Sequence, residues 1–357
     1  MKNHELESAR QQIDALDAEI MERISRRAAL ALETARAKEA GGAFYDPARE
    51  AQVLRRIREA NPGPLSNDSM VRLFREIMSA CLALEHPTRV AYLGPEGTFT
   101  HQAALRHFGN SAEITPRDNI TEVFRVVESG QSEYGVVPVE NSTDGVVAHT
   151  LDLFVESPLK VSGEVELAVH HHLLARDEDR AALRQVRAHP QALAQCRQWL
   201  DRELPGLDCI SDASNAAAAR YAASHPDTAA IASRDAAEQY NLNILAQDIE
   251  DNPNNRTRFL VIGPHDQAPS GEDKTSVLVS ARNQPGALLG LLRPLAEAGI
   301  DMTRIESRPT HLVNWEYIFF LDIRGHQKDP EVAQALEQLL AAAAFCKILG
   351  SYPCALG

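Results

Sequence analysis

The first part of the chain contains a long segment, Leu6 to Ala40, that has neither proline nor glycine. Apolar residues recur along this segment at helical spacing, namely Ile13, Leu16, Ile20, Ile24, Leu30 and Leu32. A helix of about 35 residues measures about 50 Å, which is too long to be buried within one small domain. Two shorter helices are predicted over Pro47 to Ala60 and Ser66 to Leu84. Because the apolar stripe of the long helix needs a second chain to cover it, this all-α segment predicts an intertwined homodimer or a larger oligomer.

Basic residues on the long helix suggest a small anionic ligand. Arg27 and Lys38 are eleven residues apart, which at 100° per residue places them within about 20° of one face. Arg10 lies seventeen residues before Arg27, about 25 Å along the axis, so it reaches the same site only from a second subunit. The alternative interpretation is a set of solvated helix charges, which accounts for most lysines and arginines and stays open on spacing alone.

A wider pattern surrounds these basic residues. It consists of Arg10, Ile13, Leu16, Asp17, Arg27, Lys38, Asp46, Pro47, Ala48, Arg49, Glu50, Cys81, Leu84 and Glu85. The pattern resembles the AroQ-type chorismate mutase domain. The resemblance implies that Arg10 of one subunit and Arg27 of the other bind the carboxylates of chorismate. It also implies that Lys38 and Glu85 act as the catalytic residues, by holding the ether oxygen of the substrate.

The rest of the implied mutase pocket contains two departures from the family pattern. By the same resemblance, the pocket is completed by Asp46, Arg49, Glu50 and Cys81. Cys81 stands where some members carry Ser, and Glu85 stands where some carry Gln. Glu donates a hydrogen bond only in its protonated form, whereas Gln donates at any pH. The reaction needs no nucleophile, since the enzyme holds a compact conformer and stabilises charge on the ether oxygen.

The middle of the chain repeats a unit of strand, polar loop and helix. Val90 to Leu93 precedes the loop Gly94 to Thr98, and Ala229 to Ala232 precedes Ser233. A third strand, Gly135 to Val139, is followed by the polar residues Glu140, Asn141 and Ser142, then by a helix from Val146 to Glu156. Strands that alternate with helices predict a largely parallel sheet or sheets, with the polar loops gathered at one edge. Neither a GxGxxG nor a GxxxxGK[ST] loop is present, so no nucleotide cofactor is expected.

Three motifs in this region resemble the signatures of prephenate dehydratase. They are Gly94-Pro-Glu-Gly-Thr-Phe99, Val137-Pro-Val-Glu-Asn-Ser142 and Asn255-Arg-Thr-Arg-Phe259. The resemblance implies two α/β lobes with a cleft between them, similar to type 2 periplasmic binding proteins. It further implies that Thr257 is the catalytic hydroxyl when prephenate loses carbon dioxide and hydroxide to give phenylpyruvate. The alternative for Thr257 is a hydroxyl at the edge of a strand, without a catalytic role.

Further residues are expected around the dehydratase substrate. The implied substrate-binding set is Thr98, Glu140, Asn141, Ser142, Gln195, Arg256, Thr257, Arg258 and Phe259. Arg256 and Arg258 flank Thr257, and either one is able to hold a substrate carboxylate. The run His170 to His172 does not predict a metal site, because consecutive strand residues point to opposite faces and all three cannot meet one ion. We therefore expect no metal.

The C-terminal part predicts a small α+β domain. Pro264 to Asp273 is polar and contains proline and glycine, as is typical of a linker. The following order is strand, helix, strand, strand, helix and strand, which is the ferredoxin-like plan. Two motifs, Pro285-Gly-Ala-Leu-Leu289 and Ile305-Glu-Ser-Arg-Pro309, resemble the phenylalanine-binding elements of ACT domains joined to prephenate dehydratases. The implied phenylalanine-binding residues are Gly286, Ala287, Leu288, Leu289, Glu306, Ser307, Arg308 and Pro309; the alternative is a plain turn and a charge pair at a strand end.

The composition limits where such a chain works and what it binds. The net charge of −14 argues against a nucleic-acid partner or an acidic membrane surface. The polar start predicts no signal peptide, and no apolar run approaches the ~18 residues that span a membrane. Five cysteines, an odd number without a Cys-x-x-Cys pair, fit a reducing cytoplasm.

The three resemblances occur in the order found in the bifunctional chorismate mutase–prephenate dehydratase family of phenylalanine biosynthesis. They divide the chain into residues 1–86, 88–264 and 273–357. The resemblance implies chorismate and prephenate as substrates, phenylalanine as a feedback inhibitor, and no cofactor. Two alternatives stay open: a non-catalytic amino-acid sensor, and a dehydratase whose mutase domain is only structural. The basic residues of the long helix argue against the sensor, which has no need of them.

Overall fold

The computed structural model describes residues 2–37, 45–281, 284–309 and 317–355. The N-terminal domain has three helices, α1 (Lys2–Ala37), α2 (Pro47–Ala60) and α3 (Asn67–Glu85). Both α1 and α2 pack against α3. The Asp46 side chain accepts from the Arg49 backbone N–H and so caps α2, while Ser66 caps α3 in the same way. The predicted long helix and its two shorter neighbours are confirmed; Lys38 lies outside the described residues.

The long helix leaves its apolar stripe uncovered within one chain. The exposed fractions are 56% for Ile13, 56% for Leu16, 53% for Ile20 and 67% for Met21. A row of large apolar side chains with this exposure is typical of a surface that another protein covers. No partner chain is present, so the predicted homodimer stays a prediction.

The middle domain has two lobes, each built on one sheet. Lobe one contains β1 (Arg89–Leu93), α4 (Phe99–Phe108), β2 (Glu113–Arg117), α5 (Ile120–Glu128), β3 (Tyr134–Asn141), β4 (Gly145–Val146), α6 (Ala148–Glu156) and β5 (Lys160–Ala168). Lobe two contains β6 (His172–Ala175), a 3-10 turn (Arg180–Ala182), β7 (Gln185–Ala188), α7 (Pro190–Gln195), α8 (Arg197–Glu203), β8 (Asp208–Ser211), α9 (Asn215–Ser224), β9 (Thr228–Ala232), α10 (Arg234–Tyr240) and β10 (Asn243–Ala246). The chain then returns to lobe one as β11 (Arg256–Gly263), giving strand orders β2-β1-β3-β11-β5 and β10-β6-β9-β7-β8.

The prediction of largely parallel sheets is wrong, because both sheets are mixed. In lobe one, β1 is parallel to β2 and β3, whereas β11 is antiparallel to both of its neighbours, β3 and β5. The reason is that β11 enters from lobe two, at the edge of the sheet where β3 and β5 end. The start of β11 therefore lies beside the end of β3, and this places the polar residues of both strands at the edge next to lobe two.

The C-terminal domain confirms the βαββαβ plan. Its elements are β12 (Asp273–Ser280), α11 (Ala287–Glu297), β13 (Met302–Pro309), β14 (Tyr317–Arg324), α12 (Pro330–Ala342) and β15 (Phe345–Pro353), with sheet order β13-β14-β12-β15. One face of this sheet packs against α11 and α12 through residues such as Val277 and Leu321. The opposite face, including Leu278, Phe320 and Tyr352, shares a hydrophobic core with α5, α6 and the lobe-one sheet. The domain is thus docked on lobe one rather than held only by a linker.

The helical domain also packs against lobe one. Tyr45, just before α2, joins the core cluster that contains Phe108 and Tyr134, and its ring centroid lies 5.4 Å from that of Tyr134. The predicted limits of the three domains stay predictions, since apolar contacts cross both junctions. None of the helices in the described part of the chain is long and apolar enough to cross a membrane.

Candidate active site

An asparagine and a threonine form a hydrogen-bonded pair at the edge of the lobe-one sheet next to lobe two. Thr257 lies opposite Asn141 in the pairing of β11 with β3. The Asn141 Nδ2 donates to the Thr257 Oγ1 at 2.8 Å. The Asn141 Oδ1 accepts from the backbone N–H groups of Thr143 and Asp144, at 2.9 and 3.0 Å. These contacts fix the orientation of the amide, and the Thr257 oxygen accepts from it, so the hydroxyl proton is available to another acceptor.

Ser142 and Asn255 lie beside this pair. Ser142 Oγ accepts from the Arg256 backbone N–H at 2.9 Å and donates to Asn255 Oδ1 at 3.3 Å. The Asn255 Nδ2 donates in turn to Gln195 Oε1 at 3.2 Å. Asn255 is almost completely buried. The structure therefore brings together four of the residues that the sequence predicted, Asn141, Ser142, Gln195 and Thr257.

Three further residues belong to this network and were not predicted, namely Asp144, His171 and Asn255. Gln195 Nε2 donates to Asp144 Oδ2 at 2.7 Å, which joins lobe two to the loop of lobe one. Gln195 Oε1 also accepts from His171 Nε2 at 2.8 Å. Burial lowers the pKa of His171 and so favours the neutral form of its ring. Its buried Nδ1 has no hydrogen-bond partner among the described residues. Of these three residues, only Asn255 had a signal in the sequence, because it belongs to the third motif.

The loop of the first motif contacts lobe two. Thr98 caps α4, since its Oγ1 accepts from the His101 backbone N–H at 3.3 Å, and the same hydroxyl donates to the Pro95 carbonyl at 2.9 Å. In the same loop, the Glu96 carbonyl accepts from the hydroxyl of Tyr240 in lobe two at 3.0 Å. Ser233 donates to the Gly97 carbonyl at 3.4 Å. Thr98 thus shapes the loop, and the predicted contact of its side chain with substrate stays a prediction.

Two predicted substrate-binding residues lie on the opposite face of the sheet. The apolar run predicted a strand that ends at Val139, but β3 continues to Asn141, so Glu140 points away from the Asn141 side. Glu140 pairs with Arg304 of β13 at 2.9 Å. Arg258 bonds to Glu164 at 2.9 Å and to Asp322 of β14 at 2.5 Å. The structure therefore conflicts with the prediction that these two side chains hold the substrate, because both are committed to other partners.

The remaining residues of the third motif have different surroundings. Phe259 is 1% exposed and belongs to the core cluster of α4 and the lobe-one sheet. Its ring stabilises the sheet under the cleft and does not line a surface. Arg256 is exposed at the start of β11. Its guanidinium also lowers the pKa of Arg106, although burial and two other arginines lower that pKa more. Of the two predicted arginines, only Arg256 is exposed at the edge that carries Thr257.

The predicted mutase residues are spread over the three helices. In the described chain Arg10 is exposed and Arg27 is half-buried on α1. Cys81 is 4% exposed on α3, and Glu85, one turn later, is half-buried. The separation of Arg10 from Arg27 by seventeen residues of continuous helix prevents them from meeting in one chain. A site that uses both therefore requires two chains, as the sequence analysis predicted.

Glu50, another predicted mutase residue, faces lobe one. Its carboxylate lies 3.5 Å from Arg75 Nε of α3, and both side chains are largely buried. The cavity beside them is shared with Tyr45, Arg106 and His107. Burial raises the pKa of Glu50 to about 7, although Arg75 and Tyr45 act in the opposite direction. The position of Glu50 at the junction of two domains conflicts with a role confined to the mutase pocket, whereas Asp46 and Arg49 are exposed at the start of α2.

The predicted phenylalanine-binding residues lie at one edge of the ACT sheet. Gly286 has φ +78° and precedes the first turn of α11, which contains Ala287, Leu288 and Leu289. This left-handed conformation is the reason for glycine at that position. The other four predicted residues, Glu306 to Pro309, end β13. Arg308 pairs with Asp152 of α6 at 3.2 Å, so this strand contacts lobe one. No ligand is present, and their role stays a prediction.

The histidine run also has defined partners. His170 Nδ1 lies 2.8 Å from Glu250 Oε1 and 3.7 Å from Asp248. Glu250 also accepts from the His171 backbone N–H at 2.9 Å. His170, Asp248 and Glu250 could in principle ligate one ion. However, the hydrogen bonds of Glu250 already account for its carboxylate, and the expectation of no metal stays a prediction.

Comparison with known proteins agrees with this arrangement. Residues 9–86 match chorismate mutase type II, residues 90–267 match prephenate dehydratase, and residues 275–341 match the ACT domain. A bifunctional chorismate mutase/prephenate dehydratase of Stutzerimonas stutzeri is 51% identical over 98% of each chain. Among solved structures, a prephenate dehydratase of Arthrobacter aurescens in complex with L-Phe is 36% identical, with TM-score 0.68 over 74% of this chain and 89% of that one.

A second solved structure shares the same part of the fold. It is described as GqqA, a novel type of quorum quenching acylase, and is 31% identical, with TM-score 0.68 over 74% of this chain and 97% of that one. The match to the Stutzerimonas stutzeri relative covers 98% of this chain, and residues 9–86 match the chorismate mutase model separately. The chain therefore belongs to the family of bifunctional chorismate mutase/prephenate dehydratases.

Proposed function

We propose that this chain rearranges chorismate to prephenate in its helical domain and converts prephenate to phenylpyruvate between its two lobes. The observation that carries the second activity is the hydrogen bond from Asn141 to the Thr257 hydroxyl at the edge of the cleft. A family match on its own does not assign roles to residues, whereas this pair supplies a proton donor with a fixed orientation. The arrangement favours an enzyme over a non-catalytic amino-acid sensor.

The chemistry of the dehydratase step fits such a donor. When the ring carboxylate leaves as carbon dioxide, the electron pair of the broken C–C bond enters the ring, the ring becomes aromatic, and the C–O bond opposite breaks. Hydroxide is a poor leaving group unless it receives a proton or a strong hydrogen bond. Thr257 donates to the departing oxygen, and the Asn141 amide stabilises the charge that then develops on the Thr257 oxygen. Ser142, Gln195 and Thr98 shape the surrounding site, and Arg256 is the proposed partner of a substrate carboxylate.

Replacement of Thr257 tests this assignment. Thr257→Ala removes the donor, so we expect the dehydratase rate to fall by about 10²–10⁴-fold and prephenate to accumulate from chorismate. Thr257→Ser keeps the hydroxyl and should retain part of the activity. The assay follows chorismate, prephenate and phenylpyruvate in one reaction. A near-normal rate of phenylpyruvate formation by Thr257→Ala would show that another group assists the leaving hydroxide.

The mutase site is proposed to form between two chains. Arg10 of one subunit, with Arg27, Lys38 and Glu85 of the other, would hold the two carboxylates and the ether oxygen of chorismate. The remaining proposed pocket residues are Asp46, Arg49, Glu50 and Cys81. Of these, Glu50 also contacts Arg75. The exposed apolar stripe of α1 supports a homodimer, because a second copy of α1 would cover it. The spacing of Arg10 and Arg27 supports a site shared by both copies.

The ACT domain is proposed to bind phenylalanine and to inhibit the dehydratase reaction. The proposed contacts are Gly286, Ala287, Leu288, Leu289, Glu306, Ser307, Arg308 and Pro309. The N–H groups at the start of α11 suit an amino-acid carboxylate, and Glu306 suits its ammonium group. The complex of the Arthrobacter aurescens relative with L-Phe supports this effector. We also propose a cytoplasmic location, which suits an enzyme whose five cysteines are unpaired.

A further inference from the structure

The two strands that carry the catalytic pair rest on the ACT sheet through their reverse face. Side chains alternate along a strand, and the residue before Asn141 and the residue after Thr257 both form contacts with the ACT sheet. These neighbours are Glu140 and Arg258, which lie opposite each other in the pairing of β3 with β11. On each strand, the residue that contacts the ACT sheet is therefore the immediate neighbour of the residue that carries the catalytic amide or hydroxyl.

Both neighbours form ion pairs with the ACT sheet. Glu140 lies 2.9 Å from Arg304 Nε of β13. Arg258 Nη1 donates to Asp322 Oδ2 at 2.5 Å, and its Nη2 donates to the Tyr352 hydroxyl at 2.9 Å. The Arg258 and Asp322 side chains are only 11% and 9% exposed. Arg258 also bonds to Glu164 of β5, so its buried charge is shared between a strand of lobe one and the ACT strands and links the two sheets.

The same ACT strand also contacts the helix that follows the catalytic loop. Arg308 of β13 pairs with Asp152 of α6 at 3.2 Å. At the C-terminal end of α6, the ammonium group of Lys347 of β15 donates to the Phe154 and Ser157 carbonyls, at 2.9 and 2.6 Å. Because β3, the loop and α6 are continuous in sequence, a movement of β13 acts on the end of β3 and on α6 together.

A close approach of backbones fixes the ACT sheet to lobe one. A Cβ on Gly350 of β15 would lie 2.3 Å from the Val161 carbonyl oxygen of β5, and Gly350 has φ +151°. A side chain therefore cannot fit there without a shift of one strand away from the other. This contact makes the position of the ACT sheet well defined relative to the strands that carry the catalytic pair.

We propose that Glu140 and Arg258 are positioning residues of the dehydratase reaction, through which the ACT sheet sets the geometry of Asn141 and Thr257. The proposal rests on the proposed catalytic role of Thr257. Phenylalanine, bound beside β13, displaces Arg304 and Arg308 and so tilts the ends of β3 and β11. Because a hydrogen bond weakens steeply when its angle decreases, a small tilt is enough to misorient the Thr257 hydroxyl. The effector therefore lowers kcat without competing for the cleft.

Replacement of Arg304 tests the proposal in the full-length chain. Arg304→Gln removes the charge that faces Glu140, while Arg304→Lys retains it. We expect Arg304→Gln to lower the dehydratase kcat, with KM for prephenate changed by less than about twofold, and to raise the phenylalanine concentration for half-inhibition about fivefold or more. Arg304→Lys should restore part of both properties. Asp322→Asn, which weakens the partner of Arg258, should change the phenylalanine response in the same direction.

A matched ion pair away from the ACT domain provides the control. Arg187 and Asp212 of lobe two are bonded at 2.7 Å and are 18% and 19% exposed, close to the exposure of Arg304. Asp212→Asn should lower thermal stability without changing kcat or phenylalanine inhibition. If Arg304→Gln and Asp322→Asn lower only the thermal stability, as this control does, the two ion pairs are merely structural and the proposal is wrong.

A backbone substitution gives an independent test. Gly350→Ala should separate β15 from β5 and weaken phenylalanine inhibition. Gly206→Ala controls for the backbone strain, because Gly206 has φ +90° and a Cβ added to it would have no atom within 4 Å. Unchanged inhibition in a folded Gly350→Ala protein would contradict the proposal. The outcomes also separate it from the proposed function. An active Thr257→Ala refutes the catalytic role of that hydroxyl, whereas an inactive Thr257→Ala with a normal Arg304→Gln refutes only the coupling.

Discussion

Glu50 makes the junction between the helical domain and lobe one sensitive to pH. Its carboxylate is 16% exposed and faces Arg75 of α3. A hydrogen bond with Tyr45 lowers the pKa of Glu50, and Arg106 and His107 line the same cavity. Burial is the largest influence and raises the pKa of Glu50 from 4.5 to about 7. His107 does not titrate in that range, because burial, with Arg75, lowers its pKa to about 3.

The sign of the effect follows from proton binding. Between pH 4.5 and 7 the native protein keeps a proton on Glu50 that the unfolded chain has already released. The free energy of unfolding therefore falls as pH rises through this interval, and it is constant with respect to this group above and below it. A difference of about 2.5 pKa units, at 1.36 kcal/mol each, amounts to about 3 kcal/mol.

Glu50→Gln removes this dependence. We expect the variant to match the wild type near pH 4.5 and to exceed its free energy of unfolding by up to about 3 kcal/mol at pH 8, less the hydrogen bonds that glutamine fails to replace. Urea unfolding at several pH values, followed by far-UV circular dichroism of the helices, measures the difference. Glu59→Gln, an exposed position on the same helix, is the control and should leave the pH dependence unchanged.

Parallel pH curves for the wild type and Glu50→Gln would refute this reasoning. Such a result would mean that the carboxylate is ionised in the native protein across the whole range, as expected if it faced an open pocket. The same variant separates the two positions proposed for Glu50. A residue of the mutase pocket should change KM for chorismate, whereas a residue of the domain junction should change stability and leave mutase kinetics intact.

The remaining predictions concern the mutase site and the sensor. Arg27→Ala should abolish mutase activity and leave dehydratase activity, measured with prephenate, intact; loss of both in a folded protein would contradict separate sites. A mixture of Arg10→Ala and Arg27→Ala proteins should regain mutase activity after subunit exchange, since one heterodimer site is then complete. Glu85→Gln should flatten the pH–rate profile of the mutase toward alkaline pH, and an unchanged profile would exclude Glu85 as the donor. Glu306→Ala should weaken phenylalanine inhibition without changing turnover when phenylalanine is absent, and unchanged inhibition would exclude Glu306 from the effector site.

Elements with strong local signals were predictable from the sequence. The second helix was placed at Pro47 to Ala60, and α2 has these bounds because Asp46 caps it and Pro47 suits its first turn. The order of strands and helices in the ACT domain was also confirmed, since each element has its own periodicity. The meeting of Asn141 with Thr257 was implied by family motifs, as periodicity alone does not pair residues 116 positions apart.

The faces of β3 and β11 were not predictable to the same degree. A short polar run after an apolar one does not show whether the strand ends or continues, and β3 continues through Glu140 to Asn141. The pairing of β3 with β11 is irregular between Arg258 and Phe259, where Val139 is skipped, and Glu140 therefore faces the ACT side although Val139 before it does so too. Arg258 resembled a carboxylate ligand by proximity in sequence, but its partners Glu164 and Asp322 lie 94 and 64 residues away. Contacts at such separations depend on how the domains dock.

The docking of the ACT sheet bears on how its removal should be interpreted. Truncation near Pro264 is the simplest way to test whether phenylalanine acts through the sensor, since the chain would then lack the proposed effector site. The same cut, however, exposes Arg258 and Glu164, together with apolar side chains of α5 and α6 that now pack against Leu278 and Phe320. A loss of inhibition in the truncated chain would therefore combine the loss of the proposed effector site with altered packing around β3 and β11. Arg304→Gln changes one ion pair, 13% and 37% exposed, and leaves that core in place. The substitution separates signalling from packing, because an effector that acted within the cleft itself would still inhibit this variant at its usual concentration.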